Sequence, residues 1–243
     1  MASTSEVGHA KNVANFQDLI AFVNGYGPTY NPTKNSLLLP QLETLYTNSE
    51  TSLNNVLTKN TDFNNIINQR LDAFANLRSL STRLISALET TNATDEIIKD
   101  AKSFNRKLQG KRASKIEQPT DPNQPAPKTI SSSQQSYDQL IQHFEGLISV
   151  LQSEPSYAPN ETDLQVATLQ TQLQDLKDKN KQVSNAYAQV SKARLERNKV
   201  LYEAETSLVN TAAEVKKYVK SVYGATSPEF GQITIIKFTK KKD

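Results

Sequence analysis

NETDLQVATLQTQLQDLKDKNKQVSNAYAQVSKARLERNKVLYEAETSLVNTAAEVKKYVKSVY, residues 160–223, runs for 64 residues without a glycine or a proline. Taken in steps of three and four from Val166, it gives Val166, Leu169, Leu173, Leu176, Asn180, Val183, Tyr187, Val190, Arg194, Arg197, Leu201, Ala204, Leu208, Thr211, Val215, Tyr218 and Val222. Thirteen of these seventeen positions are apolar or aromatic, which is far more than a solvated helix needs. An apolar residue about every 3.5 positions marks one narrow side of a helix, because a turn takes about 3.6 residues. The stretch is predicted as a single long helix, opened by Asn160 and Asp163 as a capping pair and closed by Gly224 and Pro228.

A second seam lies upstream. From Leu39 the same stepping passes through Leu42, Tyr46, Ser49, Leu53, Val56, Asn60, Phe63, Ile67, Arg70, Phe74, Leu77, Ser81, Leu84 and Leu88 to Thr91. Eleven of these sixteen positions are apolar or aromatic, so a second long helix is predicted. Shorter amphipathic helices are predicted at 10–24, stopped by Gly25 and Gly27-Pro28, and at 136–152, stopped by Pro155. A basic helix capped by Thr94 should run to Gln109, where Gly110 ends it. The segment Gln232–Phe238, with Ile233, Ile235, Ile236 and Phe238, is the one strand candidate.

The two seams belong to an internal repeat. Pro28-Thr29-Tyr30-Asn31-Pro32 matches Pro155-Ser156-Tyr157-Ala158-Pro159 at an offset of 127 residues, and Leu37, Leu39 and Leu42 then fall on Leu164, Val166 and Leu169. The fold class expected is all-α: an elongated helical bundle or coiled coil of two similar halves, each a short helix plus a long one, with a short C-terminal strand. The halves are 1–116 and 136–243, joined by a Pro/Ser-rich linker at 117–135 whose four prolines favour an extended chain. Two packings compete. Either the long helices are continuous, or each folds into a hairpin at Lys59–Asp62 and Asp178–Lys181. The unbroken phase favours continuity.

Composition narrows the function. Apolar residues make up 36% of the chain, Trp is absent, and net charge is only +3. That supplies a thin seam more readily than a thick core, and it does not by itself demand a polyanionic partner. With no cysteine, disulfides and thiolate metal sites are excluded. No apolar run approaches the roughly 20 residues a membrane-spanning helix needs, and Met1–Glu6 does not resemble a secretory leader. The expectation is a soluble, cytoplasmic chain with no transmembrane segment.

Reactive groups do not cluster. His9 sits near the start, and His143 lies beside Phe144 with no second ligand one turn away, so no catalytic, cofactor or metal site is expected. The acidic pairs Asp95-Glu96 and Glu203/Glu205 suit a helix N-terminus and a solvated face. Glu214–Lys217 and Glu196–Lys199 have the spacing of helix-surface ion pairs. The sharpest local feature is basic. Residues 99–115 carry Lys99, Lys102, Arg106, Lys107, Lys111, Arg112 and Lys115 against one acid, Asp100. Lys99, Lys102 and Arg106 share a helix face that suits phosphates or an acidic protein, although Phe104 is its only stacking residue. The candidate interaction residues are therefore Lys99, Lys102, Arg106, Lys107, Lys111 and Arg112, with Ile233, Ile235 and Phe238 on the strand.

Tyr157-x-Pro159-Asn160-Glu161-x-Asp163-Leu164, the run Val215–Ser221 and Gly224-Ala225-Thr226-Ser227-Pro228 resemble an uncharacterised bacterial family of duplicated all-helical proteins. The resemblance covers most of the chain and implies an all-helical fold, with no activity assigned. The function expected is that of a non-enzymatic structural or interaction protein. Its coiled-coil-like helices would serve self-association or binding of another helical protein. The alternatives are a membrane-active, pore-former-like helical protein and a weak nucleic-acid binder using the basic helix.

Overall fold

A computed structural model of the chain describes residues 7–111 and 135–240. Among the described residues all regular structure is helical, with no strand. Eight α-helices follow in order: α1 (Val7–Gly25), α2 (Leu39–Ala75), α3 (Leu77–Glu89), α4 (Asp95–Leu108), α5 (Tyr137–Ser153), α6 (Val166–Asn198), α7 (Leu208–Tyr223) and α8 (Pro228–Thr234). They form two compact units, Met1–Phe63 with Ala186–Asp243, and Asn64–Asn185. The boundary falls inside α2 and inside α6, so the first unit joins the two ends of the sequence and the second is its continuous middle.

The helix termini follow from local chemistry. Thr94 Oγ1 accepts from Ile97 N at 3.5 Å and opens α4, and Ser136 Oγ accepts from Gln139 N at 3.3 Å and opens α5. Each satisfies one of the amide groups that a first helical turn leaves without an intrahelical partner. Gly110 and Gly224 end α4 and α7 with φ of 70° and 91°, a region that costs most side chains. Inside α2, Thr44, Thr47, Ser49, Thr51 and Thr61 donate back to carbonyls one turn earlier. That accommodates hydroxyl residues of modest helix propensity in a 37-residue helix.

The first unit packs α1, the first part of α2, the end of α6, α7 and α8 around Phe16, Leu19, Val23, Leu42, Leu201, Leu208, Val215 and Ile233. The second packs the end of α2, α3, α4, α5 and the start of α6 around Leu77, Leu84, Leu88, Leu108, Phe144, Leu147, Leu169 and Leu176. In both, the polar members of the seams meet each other across helices. In the first unit Arg194 donates to Asn60 Oδ1 at 3.3 Å, one turn from the Phe63–Tyr187 ring pair at 5.8 Å. In the second, Arg70 donates to Asn180 Oδ1 at 3.0 Å and lies 3.8 Å over the Tyr137 ring, while Asn180 donates to Asp138 at 2.8 Å. Such polar layers favour one helix register, because a slipped pairing would strand the same groups without partners.

Several expectations need correction. The favoured continuity holds at Lys59–Asp62 and Asp178–Lys181, which lie inside α2 and α6, but the second long helix, expected from Leu39 to Thr91, is interrupted at Asn76 and ends at Glu89. The long helix expected over 160–223 is interrupted elsewhere. A π turn at Lys199–Glu203 is closed by Ala204 N donating to Lys199 O at 3.1 Å, and the chain leaves the helix before Ser207 opens α7. Helix α6 also begins later than expected. Thr162–Leu164 form a 3₁₀ turn, and Asp163 pairs with Arg83 at 2.5 Å instead of capping. The surface pair expected for Glu214 is made with Lys34 at 2.7 Å, from another element, and Glu196 faces Lys192 at 3.9 Å.

The predicted C-terminal strand does not form. Ser227 caps α8 and Pro228 sits in its first turn, so Gln232–Thr234 become the last turn of a helix. Beyond Thr234 the chain has no neighbouring strand. Its main-chain groups are taken instead by side chains of α1 and α7. The predicted linker at 117–135 lies outside the described residues apart from Gln135, as do Arg112 and Lys115.

Candidate interaction surface

The basic face is carried by α4. Ile97, Ile98 and Phe104 pack inward beside the buried Ala101 and Leu108, which turns the charged positions outward. Lys99 and Lys111 are exposed and Arg106 is half-buried. Lys102 is exposed but tied to Glu89 of α3 at 2.5 Å. Lys107 is half-buried, 5.2 Å over the Phe104 ring. Structure therefore splits the predicted cluster. Lys102 and Lys107 are engaged within the unit, while Lys99, Arg106 and Lys111 keep a basic face around the helix end.

Behind that face lies His143. It is buried on α5, and its Nε2 has no hydrogen-bond partner. Burial, and then the nearby Lys107 ammonium, hold its pKa below the ordinary value. An unfolded histidine takes up its proton near pH ~6.5, whereas this one does so only at lower pH. Between those points the unfolded chain binds more protons, so stability should fall as the pH drops below about 6.5. Thermal melts from pH 7.5 to 5 should show a decline of at most about 1.4 kcal/mol per pH unit from this group. The His143→Gln variant should remove that part of the slope. An unchanged slope in the variant would sink the assignment.

The other predicted residues are scattered by the fold. Ile233 is fully buried in the first unit, Phe238 is partly buried against it, and Ile235 stays 71% exposed. His9, near the start of α1, meets Tyr202 through Nδ1 at 2.6 Å. A shallow cleft of about 380 Å³ lies beside the π turn, lined by Leu45, Asn48, Lys199, Val200 and Thr206 among others. Nothing in the seam pattern pointed to it. Its ionisable lining groups are Glu196 and Lys199, and Glu196 faces Lys192. Among the described residues no three His, Cys, Asp or Glu side chains come together as a metal site, and no helix is long and apolar enough to cross a membrane.

Asn12 and Asn15 of α1 were not singled out by sequence reasoning, since asparagine on a short helix signals nothing alone. Structure gives both a defined task, the binding of main-chain groups of residues 237 and 239. No protein-family model, curated protein or solved structure matches this chain.

Proposed function

We propose that the chain is a non-enzymatic interaction protein whose long helices serve self-association or binding of another protein. The observation that carries this reading is unspent apolar surface on helices already zipped by polar layers. In the first unit Leu57 of α2 is 66% exposed, and Tyr187 and Leu195 of α6 are 59% and 62% exposed. Burying a leucine of that exposure contributes on the order of 1–2 kcal/mol toward an interface. The reading also treats the chain as two copies of one plan. Its support is local: Tyr30 Oη donates to Leu37 O at 2.8 Å and Tyr157 Oη donates to Leu164 O at 3.0 Å, each across seven residues. In both places a 3₁₀ turn follows, at Asn35–Leu37 and Thr162–Leu164, and a long helix starts at Leu39 or Val166.

Mass measured by light scattering should rise with protein concentration, and the double variant Leu57→Glu/Leu195→Glu should hold the monomer mass with its helical circular dichroism intact. Monomer alone across the accessible range would remove the self-association part of the proposal.

A further inference from the structure

After α8 the chain runs from Ile235 to Lys240 across the first unit without regular structure. Asn12 reads Thr239 twice: its Nδ2 donates to the Thr239 carbonyl at 2.8 Å and its Oδ1 accepts the Thr239 N–H at 2.9 Å. Asn15 Nδ2 donates to the Lys237 carbonyl at 2.5 Å, and Lys216 of α7 donates to the Ile236 carbonyl. Asn12 is only 1% exposed, and its amide also reaches Tyr202 Oη at 3.2 Å, which holds it in place. These contacts recognise main chain and therefore tolerate many sequences, in the way a strand added to a sheet edge does.

Two positions are read by side chain. Phe238 stands edge-on to the fully buried Phe16 at 6.5 Å, and Lys216 Nζ lies 5.3 Å over its ring. That position takes an aromatic group. The residue before it is mismatched. Lys237 brings a second cation to the partly buried Lys216, and its own Nζ turns back to the Thr234 carbonyl at 3.5 Å. Burial, and then Lys237, lower the Lys216 pKa, as expected for two cations held near each other.

We propose that the α1/α7 face of the first unit is a docking groove for an extended peptide of a partner protein, one carrying an acidic residue directly before an aromatic residue, and that the chain's own segment Ile235–Lys240 is a replaceable occupant of that groove. The inference rests on the interaction-protein reading and gives it a surface and a partner chemistry. A carboxylate at the Lys237 position would face Lys216 as an opposite charge, where the resident chain presents a like one.

The test uses two labelled peptides, one with the sequence of residues 235–240 and one with the Lys237→Glu change. Fluorescence anisotropy would follow their binding to the full-length protein and to full-length Phe238→Ala, whose own segment has lost its anchoring ring. The variant should bind the Glu peptide about fivefold more tightly than the Lys peptide. The parent protein should bind both more weakly, because its resident segment competes. Adding Asn12→Ala, or Asn15→Ala if Asn12→Ala fails to fold, should abolish binding. Equal affinity for the two peptides, no binding to folded Phe238→Ala, or binding indifferent to the asparagines would each overturn the proposal. Light scattering separates this outcome from the parent reading: peptide binding by a strictly monomeric protein removes self-association and keeps the groove.

Discussion

Phe16→Ala is expected to destabilise the first unit by about 3–5 kcal/mol, the usual cost of deleting a fully buried aromatic side chain. The ring is completely inaccessible and sits with Leu19, Val23, Leu42, Val215 and Ile233. Its removal costs the transfer energy of the ring and leaves a cavity that the surrounding side chains cannot close without shifting. It also removes the partner of Phe238, so the segment after α8 loses its aromatic anchor. Hydrogen exchange should locate the damage. Amides of α1, α7 and α8 should exchange on the order of 100-fold faster or more, while α4 and α5, which belong to the other core, change far less. A loss below about 1 kcal/mol, or acceleration spread evenly over both cores, would contradict the division of the chain into two separately packed units.

Gly146→Leu should give the second large effect, in the other unit. A Cβ at Gly146 would lie 2.3 Å from Cε1 and 2.6 Å from Cζ of Phe104, closer than real Cβ contacts allow. The missing side chain is what lets α4 lie tightly against α5 at this level. Alanine sets two terms of similar size against each other: up to about 1 kcal/mol gained in helix propensity and a comparable cost for swinging the Phe104 ring outward. Leucine adds three more carbons that the half-buried ring cannot yield space for, so overpacking of roughly 1–3 kcal/mol wins. The melting temperature should fall for Gly146→Leu and stay within a few degrees of the parent for Gly146→Ala. If both variants melt like the parent, the close approach does not constrain this pair of helices.

Helix content and most helix ends were legible in the sequence, because the signals that mark them are local. Thr94 caps α4 as predicted, α5 opens close to the start of its predicted span, and Gly25, Gly110 and Gly224 stop helices. The interruption after α6 was hidden by its own spacing. Leu201 and Leu208 stand one heptad apart and are both fully buried in one core, so the three–four stepping passes over Ala204–Ser207 as though the helix continued. A period of about seven is blind to a short non-helical loop that returns the next leucine to the same core. The strand was mistaken for a similar reason. Residues 235–240 carry strand-forming side chains, but extended chain becomes a strand only when another backbone lies beside it. Here side-chain amides and a lysine take that place.

The candidate surface was partly legible. Lys99, Lys102 and Arg106 mark a helix face from sequence alone, yet which of them are engaged depends on α3, whose Glu89 takes Lys102. Local patterns report what a residue can do; tertiary neighbours decide whether it is already doing it. Asn12 and Asn15 show the converse, since two unremarkable amides gain a role only from the chain that passes over them some 220 positions later.

The paired tyrosine contacts bear on the order in which the chain acquires structure. A ring that closes over seven residues sacrifices little freedom, and loops of that size meet on a timescale of about 10–100 ns. Tyr30 and Tyr157 can thus set the direction in which α2 and α6 begin to grow before either helix has found its neighbours. Growth from two pre-aimed nuclei would let the half-buried arginine–asparagine layers search over few alternative alignments.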